Sequence, residues 1–421
     1  MLVRPVVFTR ESIANNLIIV GLSVAAVATA LFGIALVNFA MLLGLIGVVI
    51  HPRGNVLFRF ASWPTAAWLS VGLFGWIALS WLWSDAGLDQ KSEYLRAYRE
   101  LLLVPIFAGG IYLCRGLKVI SALLFWSLAA SVVVTYLLWF GQIQIDGAQL
   151  SIKNRIFFGV STATFAFWSL VRSERGPAIH RLTMAGCALL AIYALLLIET
   201  GRTGYVLTAA LASFWIYGLT KGRNWLRLAG LVLIAGAISA GYGVHDKFQS
   251  RVDQSVANTL AYFESGQGSS IGYRLEFYRV SLVAIKEAPV FGHGVGSFRE
   301  AHGRFVDPDR PWGKTDNPHQ EYLLIGVQSG LVGVALFVSV LCATWVLSSR
   351  MPSAEQRLLR GGVLALAISC LFNSSLLDSG DGSFFTLFLA CWLSTAFSDR
   401  SDVPGQPIST AADSANLRGG G

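Results

Sequence analysis

The chain has 421 residues, of which 54% are hydrophobic and only 13% are charged, and its mean hydropathy is +0.59. A soluble domain carries roughly a quarter charged residues, so this composition excludes an ordinary soluble protein and indicates one that spans a membrane. A net charge of +8 would suit nucleic-acid binding in a soluble protein, but here the basic residues mostly follow the pattern of membrane topology signals or lie in one long loop.

Apolar runs recur along the chain, and they predict an all-α membrane protein of about 12 transmembrane helices. The region 15–50 is divided in two, because one helix of that length would rise about 54 Å against a hydrocarbon core of about 30 Å. The predicted spans are roughly 15–32, 35–50, 62–83, 101–114, 119–140, 156–171, 182–199, 204–220, 228–244, 320–347, 361–377 and 383–397.

The distribution of basic residues predicts the orientation of these spans. With the N-terminus in the cytoplasm, more than half of the 32 Lys and Arg residues fall on cytoplasmic segments and few on the short outer loops. Both termini are then cytoplasmic. Residues 1–244 carry nine helices, 245–319 form one large outer loop, 320–397 carry three helices, and 398–421 are a disordered tail.

The outer loop 245–319 has helical character of its own. Apolar residues recur at helical spacing in 247–263, which predicts an amphipathic helix, and a second helix is predicted from Arg274 to Glu287, ended by Pro289. Two interpretations remain open and are compatible: helices lying on the membrane surface, and a lid over a site at the outer leaflet.

Two arginines on the predicted outer face are candidate anion ligands. Arg202 lies in the short turn 199–204 between two apolar spans. It is either a turn arginine paired with Glu199 or a clamp for phosphate, which guanidinium binds in a forked geometry. Arg274 alone is typical of a solvated arginine, but together with Arg202 it would supply two positive charges to a pyrophosphate.

His319 is the candidate general base. It lies at the predicted start of a span, with Asn317 as a helix cap, Pro318 in the first turn and Glu321 beside it. Histidine titrates near neutrality and often serves as a base, although a lone histidine is more often structural. The glycine-rich segment 292–297 lacks the features of a nucleotide-binding loop, and we interpret it as a tight turn that positions Phe298.

Further polar residues near the predicted outer ends of the helices are lesser candidates. Asp307 and Asp309 resemble the Asp-x-Asp pattern that holds a metal in some glycosyltransferases, but such pairs are common on proline turns. We therefore expect no metal and no other cofactor. The lesser candidates are Lys153, Arg155, Arg96, Arg99, Arg279, Glu321, Asp378 and Asp381.

The order and spacing of these motifs resemble the O-antigen ligase superfamily, which includes polymerases. The family histidine is typically followed by Asn, and here Gln320 occupies that place. The motifs are Gly-Arg-Thr-Gly at 201–204, Tyr-Arg-Leu-Glu at 273–276, Pro-Val-Phe-Gly-His-Gly-Val-Gly-Ser-Phe at 289–298, Asn-Pro-His-Gln-Glu-Tyr-Leu at 317–323 and Gly-Leu-Val-Gly at 330–333.

This resemblance implies a metal-independent, inverting membrane glycosyltransferase of the GT-C type in the bacterial inner membrane. Such enzymes move a glycan from undecaprenyl pyrophosphate to an acceptor on the periplasmic side. For a ligase, the acceptor is lipid A–core oligosaccharide and the product is lipopolysaccharide. The essential arginines and histidine of the family correspond to Arg202, Arg274 and His319.

Three other functions remain open. An O-antigen polymerase usually has two sizeable outer loops, and a protein O-oligosaccharyltransferase is generally longer than this chain. A flippase or transporter of lipid-linked glycans also has about twelve spans. Transporters concentrate polar residues at mid-membrane, whereas here these residues lie at the predicted outer ends of the helices.

Overall fold

The computed structural model describes residues 9–54, 63–145, 153–198, 201–220, 222–244, 246–266, 268–309 and 313–397, and all regular secondary structure in these ranges is helical. The α-helices in chain order are α1 Arg10–Leu31, α2 Ile34–Ile50, α3 Thr65–Leu79, α4 Leu88–Tyr98, α5 Glu100–Cys114, α6 Leu117–Trp139, α7 Arg155–Ser173, α8 Ala178–Tyr193, α9 Arg202–Leu219, α10 Asn224–Val244, α11 Asp246–Ser265, α12 Ser270–Glu287, α13 Phe298–Gly303, α14 Glu321–Leu347, α15 Ser353–Phe372 and α16 Ser379–Leu393.

The all-helical membrane character is confirmed. Within the described ranges, seven helical segments are long and apolar enough to cross a membrane, and α2 and Asn224–Gly236 are shorter apolar helices. The count of twelve spans stays a prediction, as do the side of the membrane on which the loop lies and the predicted tail 398–421, which is outside the described residues. The seven are Arg10–Leu31, Thr65–Trp83, Leu88–Cys114, Leu117–Trp139, Arg155–Ser173, Ala178–Ile198 and Glu321–Arg350.

The predicted division of the region 15–50 into two helices is confirmed, because α1 ends at Leu31 and α2 begins at Ile34. Glycines allow the two helices to pack closely. A Cβ atom added at Gly21 would lie 2.5 Å from the backbone nitrogen of Gly44, and one at Gly47 would lie 2.8 Å from that of Ile18. Small residues at such crossings are typical of helix pairs in membranes.

The long loop contains α11, α12 and the short helix α13. The second of these begins four residues before the predicted Arg274, at Ser270, because the hydroxyl of Ser269 accepts a hydrogen bond from the N–H of Gly272 and caps the helix. It ends at Glu287, before Pro289, as the sequence predicts. Helix α13 has no counterpart among the predicted elements.

The glycine-rich segment packs on a break in α14. Gly330 has φ +65° in the middle of that helix, and the freed carbonyls of Val327 and Gln328 accept hydrogen bonds from the N–H groups of His293 and Gly294, at 2.9 and 2.8 Å. The predicted tight turn thus connects α12 to α13 and is held against the break in α14. It leads directly into α13, where Phe298 is fully buried.

Candidate functional site

His319 lies in a strained turn before α14. Its φ is +53°, a left-handed conformation that is uncommon for residues other than glycine. The side chain of Asn317 accepts a hydrogen bond from the backbone N–H of His319 at 2.8 Å and another from Ser374 Oγ at 2.7 Å. The predicted helix cap at Asn317 is therefore wrong. The side chain of Gln320 caps α14 instead, and Asn317 holds the turn that orients His319.

The surroundings of the His319 imidazole favour its neutral form. Burial lowers its pKa, and so does the positive charge of Arg274, while a hydrogen bond with Asn373 and the charge of Asp378 act in the opposite direction. The net effect is a pKa below the ordinary value of a histidine. Nδ1 of His319 is buried and has no hydrogen-bond partner among the described residues.

Arg274 is also a neighbour of Arg202, so the structure brings together the two arginines and the histidine that the sequence singles out. Burial lowers the pKa of Arg202, and the positive charges of Arg251 and Arg274 lower it further. Nη1 of Arg202 donates to Ser270 Oγ at 3.4 Å, and its Nε is buried without a partner among the described residues. No described carboxylate forms an ion pair with any of the three arginines.

The Gly-Arg-Thr-Gly motif explains how Arg202 reaches this position. Gly201 is the residue before α9 and has no side chain, so the N-cap position gives the first N–H groups of α9 no side-chain acceptor. One turn later, Gly204 packs against Gly159 of α7. A Cβ atom at Gly204 would lie 3.1 Å from the Cα atom of Gly159, so this crossing requires two small residues. Glu199, the alternative partner of Arg202, lies outside the described residues.

Three of the lesser candidates border this cluster. The Cγ atom of Arg155 would lie 3.4 Å from a Cβ atom at Gly201, so its side chain runs beside the start of α9. Asp378 caps α16 by accepting from the N–H of Gly380 at 2.9 Å, and its charge acts on both His319 and Lys153. The ammonium group of Lys153 donates to the carbonyl of Phe32.

Arg279 and Glu321 are engaged in structural contacts rather than facing the cluster. Arg279 pairs with Glu276 through Nη2 and Nε, at 2.5 and 3.1 Å. The fully buried carboxylate of Glu321 accepts from Tyr98 Oη at 2.8 Å and from the backbone N–H of Leu376 at 2.9 Å. These bonds connect α14 to α4 and to the segment before α16.

Arg96 and Arg99 also form hydrogen bonds elsewhere. Nε of Arg96 donates to the carbonyl of Ser92 at 3.2 Å, and Nη2 of Arg99 donates to Asn38 of α2 at 2.6 Å. In the Asp-x-Asp pair, Oδ1 of Asp307 accepts from the N–H of Asp309 at 2.9 Å, so this carboxylate stabilises its own turn.

Sequence reasoning missed three residues of the site: Arg251, Asn373 and Tyr278. Arg251 belongs to α11, where it is one basic residue of an amphipathic helix and part of no motif. Tyr278 follows Arg274 by one helical turn, and its hydroxyl donates to the carbonyl of His319 at 3.4 Å. That spacing is a signal that could have identified Tyr278.

Comparisons with known proteins find a family match over part of the chain. Residues 186–338 match the family model described as O-antigen ligase. That segment includes Arg202, Arg251, Arg274 and His319. An uncharacterized protein of Haemophilus influenzae is 33% identical over 98 residues, which are 22% of this chain and 25% of the relative. The chain thus spans about a quarter of the length of the curated relative that it matches.

Proposed function

We propose, on the premise that this chain belongs through residues 186–338 to the O-antigen ligase family, that it is an O-antigen ligase of the bacterial inner membrane. In this proposal it transfers the glycan of undecaprenyl pyrophosphate-linked O-antigen to lipid A–core oligosaccharide at the periplasmic face. The reaction inverts the anomeric centre and needs no metal.

One observation carries the proposal: the charges of Arg251 and Arg274 act on Arg202, the charge of Arg274 also acts on the partly buried imidazole of His319, and no described carboxylate is paired with these arginines. Positive charges held so close repel one another, and a protein keeps them together where an anionic ligand offsets the repulsion. A diphosphate offers two adjacent anionic groups that match forked guanidinium donors.

The proposed chemistry follows from these groups. The acceptor hydroxyl attacks the anomeric carbon, a new C–O bond forms, and the bond from that carbon to the pyrophosphate oxygen breaks. The electron pair of the broken bond leaves on the pyrophosphate, where Arg202 and Arg274 stabilise the added charge. The proton of the hydroxyl passes to the neutral imidazole of His319. Losing one comparable oxyanion donor typically costs about 3 kcal/mol of transition-state stabilisation.

Variants of the three residues test these roles separately. His319→Ala should abolish transfer while binding of the lipid-linked donor to the purified protein survives. Arg202→Ala and Arg274→Ala should weaken donor binding. Arg96→Ala is the matched control, because among the described residues its guanidinium donates to Ser92 of its own helix. Normal transfer by His319→Ala would contradict the role of His319 as the base. Normal donor binding by both arginine variants would contradict the role of Arg202 and Arg274 in binding the pyrophosphate.

Deletion of the gene in its host distinguishes this function from its rivals. Loss of the lipopolysaccharide ladder on a gel, with intact lipid-linked polymer, is the result expected for a ligase. A band carrying a single repeat unit would instead identify an O-antigen polymerase. Intact lipopolysaccharide would favour a protein O-oligosaccharyltransferase. Loss of lipid-linked glycan from the periplasmic side, measured by transport of labelled donor, would identify a flippase.

A further inference from the structure

A groove of about 720 Å³ lies beside the turn that joins α7 to α8, and residues from the last turns of α9 also line it. Helix α9 begins at Arg202 and ends at Leu219, and Leu219 is one of the lining residues. At a rise of 1.5 Å per residue, the groove lies about 26 Å along α9 from the arginine cluster. It contains none of the family motifs and is separate from the site of the proposed function.

The carboxylate of Glu174 lines this groove, but its charge is already compensated. Nη1 and Nη2 of Arg357 donate to its two oxygens at 2.6 and 2.5 Å, and the side chains of Arg357 and Glu174 are only 16% and 18% exposed. Nε1 of Trp215 donates to Oε1 of the same carboxylate at 2.9 Å. Because this forked pair is mostly buried, Glu174 offers little repulsion to an anion that enters the groove.

Arg181 lines the same groove and has unused donors. The residue is exposed, and its Nε donates to the carbonyl of Ser173 at 3.2 Å. Neither Nη1 nor Nη2 has a hydrogen-bond or ion-pair partner among the described residues. A guanidinium with two unused nitrogens matches the forked geometry in which arginine binds a phosphate group.

The groove also has an apolar part that suits an acyl chain. Leu182 of α8 and Leu219 of α9 are 70% and 47% exposed, and Ala185 lies one turn beyond Arg181. Helix α8 begins the apolar segment Ala178–Ile198, which is long enough to cross a membrane. Arg181 lies in the first turn of that segment, where the phosphates of a bilayer lie, and the apolar residues follow toward the region of the acyl chains.

The surrounding charge favours an anionic lipid. Residues 172–181 contain three arginines and one glutamate, and that glutamate is paired with Arg357. A zwitterionic headgroup brings an ammonium group as well as a phosphate into these positive surroundings, whereas an anionic headgroup brings no positive charge. Basic pockets between membrane helices are typical sites for anionic headgroups.

We propose that the groove binds an anionic membrane phospholipid, whose phosphate contacts Arg181 and whose acyl chain packs against Leu182, Ala185 and Leu219. The inference goes beyond the proposed function and does not depend on it. A lipid bound there contacts both α8 and α9 and requires the folded protein, so it stabilises the fold by mass action.

Thermal unfolding of the full-length protein in detergent, with phosphatidylglycerol added, tests the proposal. The lipid should raise the unfolding temperature in a saturable way. Arg181→Gln should increase the lipid concentration for half of that effect at least roughly tenfold, as expected for the loss of charge-assisted hydrogen bonds. Arg223→Gln is the matched control, because Arg223 is an exposed arginine just after the end of α9 that does not line the groove. No loss in Arg181→Gln, or an equal loss in the two variants, overturns the proposal.

A second pair of variants tests the apolar part of the groove. Ala185→Trp fills the groove without a change of charge and should weaken the effect of phosphatidylglycerol. Leu189→Trp should leave the effect unchanged, because Leu189 is an exposed residue one turn further along α8 that does not line the groove. If Ala185→Trp responds to the lipid as the wild type does, the acyl chain does not lie in the groove and the proposal fails.

Two other additions distinguish the possible sources of the phosphate. Phosphatidylethanolamine at the same concentration should give a smaller rise in unfolding temperature, and an equal rise would overturn the choice of an anionic lipid. Inorganic phosphate should give no rise that depends on Arg181. A rise with inorganic phosphate that is lost in Arg181→Gln would identify a site for soluble phosphate and overturn the proposal of a lipid.

Discussion

Arg274 and Arg279 lie five residues apart on the same helix, and the structure predicts opposite consequences for their removal. The guanidinium of Arg279 forms two hydrogen bonds with Glu276, a residue with no exposed surface. Tyr262 Oη donates to the same carboxylate at 2.7 Å. These contacts connect α11 to α12. Arg274 has no carboxylate partner among the described residues.

Replacement of Arg279 by alanine should destabilise the protein by about 2 kcal/mol. Loss of one partner of a fully buried ion pair costs roughly 3–5 kcal/mol, because the remaining charge is left without compensation. The side chain of Arg279 is 47% exposed, so water replaces part of what it provided, and we reduce the figure by about half. Adding Glu276→Gln to Arg279→Ala removes the uncompensated charge and should restore part of the stability.

Thermal unfolding of the purified protein and binding of lipid-linked donor to it are the two assays. Arg279→Ala should lower the unfolding temperature and leave the donor affinity of the folded molecules unchanged. Arg274→Ala should leave the unfolding temperature unchanged and weaken donor binding. If Arg279→Ala lost donor affinity at full stability, the assignment of Arg279 to structure and Arg274 to the site would be refuted.

Four further predictions follow from single residues. Glu321→Ala leaves two buried donors without an acceptor and should destabilise the protein by roughly 2–5 kcal/mol in thermal unfolding, and unchanged stability would contradict the structural role of Glu321. Gly330→Ala places a Cβ atom 2.2 Å from a backbone carbonyl oxygen and should prevent normal folding, whereas Gly303→Ala, whose Cβ atom meets nothing within 4 Å, should fold normally. Equal yields of folded protein from the two variants would contradict this expectation. His319 must be neutral to accept a proton, and its pKa is lowered, so kcat should be retained as the pH falls to 6.5 and decline only at lower pH. A decline centred above pH 6.5 would count against His319 as the base. Gly201→Asp should weaken donor binding without loss of stability, and donor affinity equal to that of the wild type would show that the start of α9 does not contact the anion.

Periodicity and hydropathy were sufficient to predict the helical class and the break between α1 and α2, because both follow from local composition and the thickness of a bilayer. The family motifs were sufficient to select Arg202, Arg274 and His319. Local sequence could not separate Arg274 from Arg279, since both are arginines of the same predicted helix and no local pattern shows which of them has a buried partner. The difference is the burial of Glu276 under Tyr262, a contact between two helices that no spacing along the chain reveals.

Asn317 and Asn373 illustrate the same limit at the histidine. A polar residue followed by proline is a good sequence signal for a helix cap, yet the side chain of Asn317 accepts a hydrogen bond from the N–H of His319 and stabilises that turn. Gln320 caps α14 instead, by accepting a hydrogen bond from the N–H of Leu323. Asn373 lies more than fifty residues further along the chain. Its relation to His319 depends on the packing of α15 against α14, which the sequence pattern does not specify.

In the proposed function, the start of α9 would add backbone donors for the anion to those of the arginines. Helices α7, α12, α14 and α16 also begin beside the cluster, and each is capped by a side chain: Asn154, Ser269, Gln320 and Asp378. Helix α9 alone among these five begins at a glycine. Its first N–H groups, which carry the positive end of the helix dipole, therefore have no side-chain cap at the N-cap position next to Arg202. A serine or aspartate at position 201 would stabilise the isolated helix, but its side chain would occupy the donors that a phosphate needs. In the proposed function, the glycine thus gives up a stabilising cap at the one of these five helix ends where an anionic ligand would replace it.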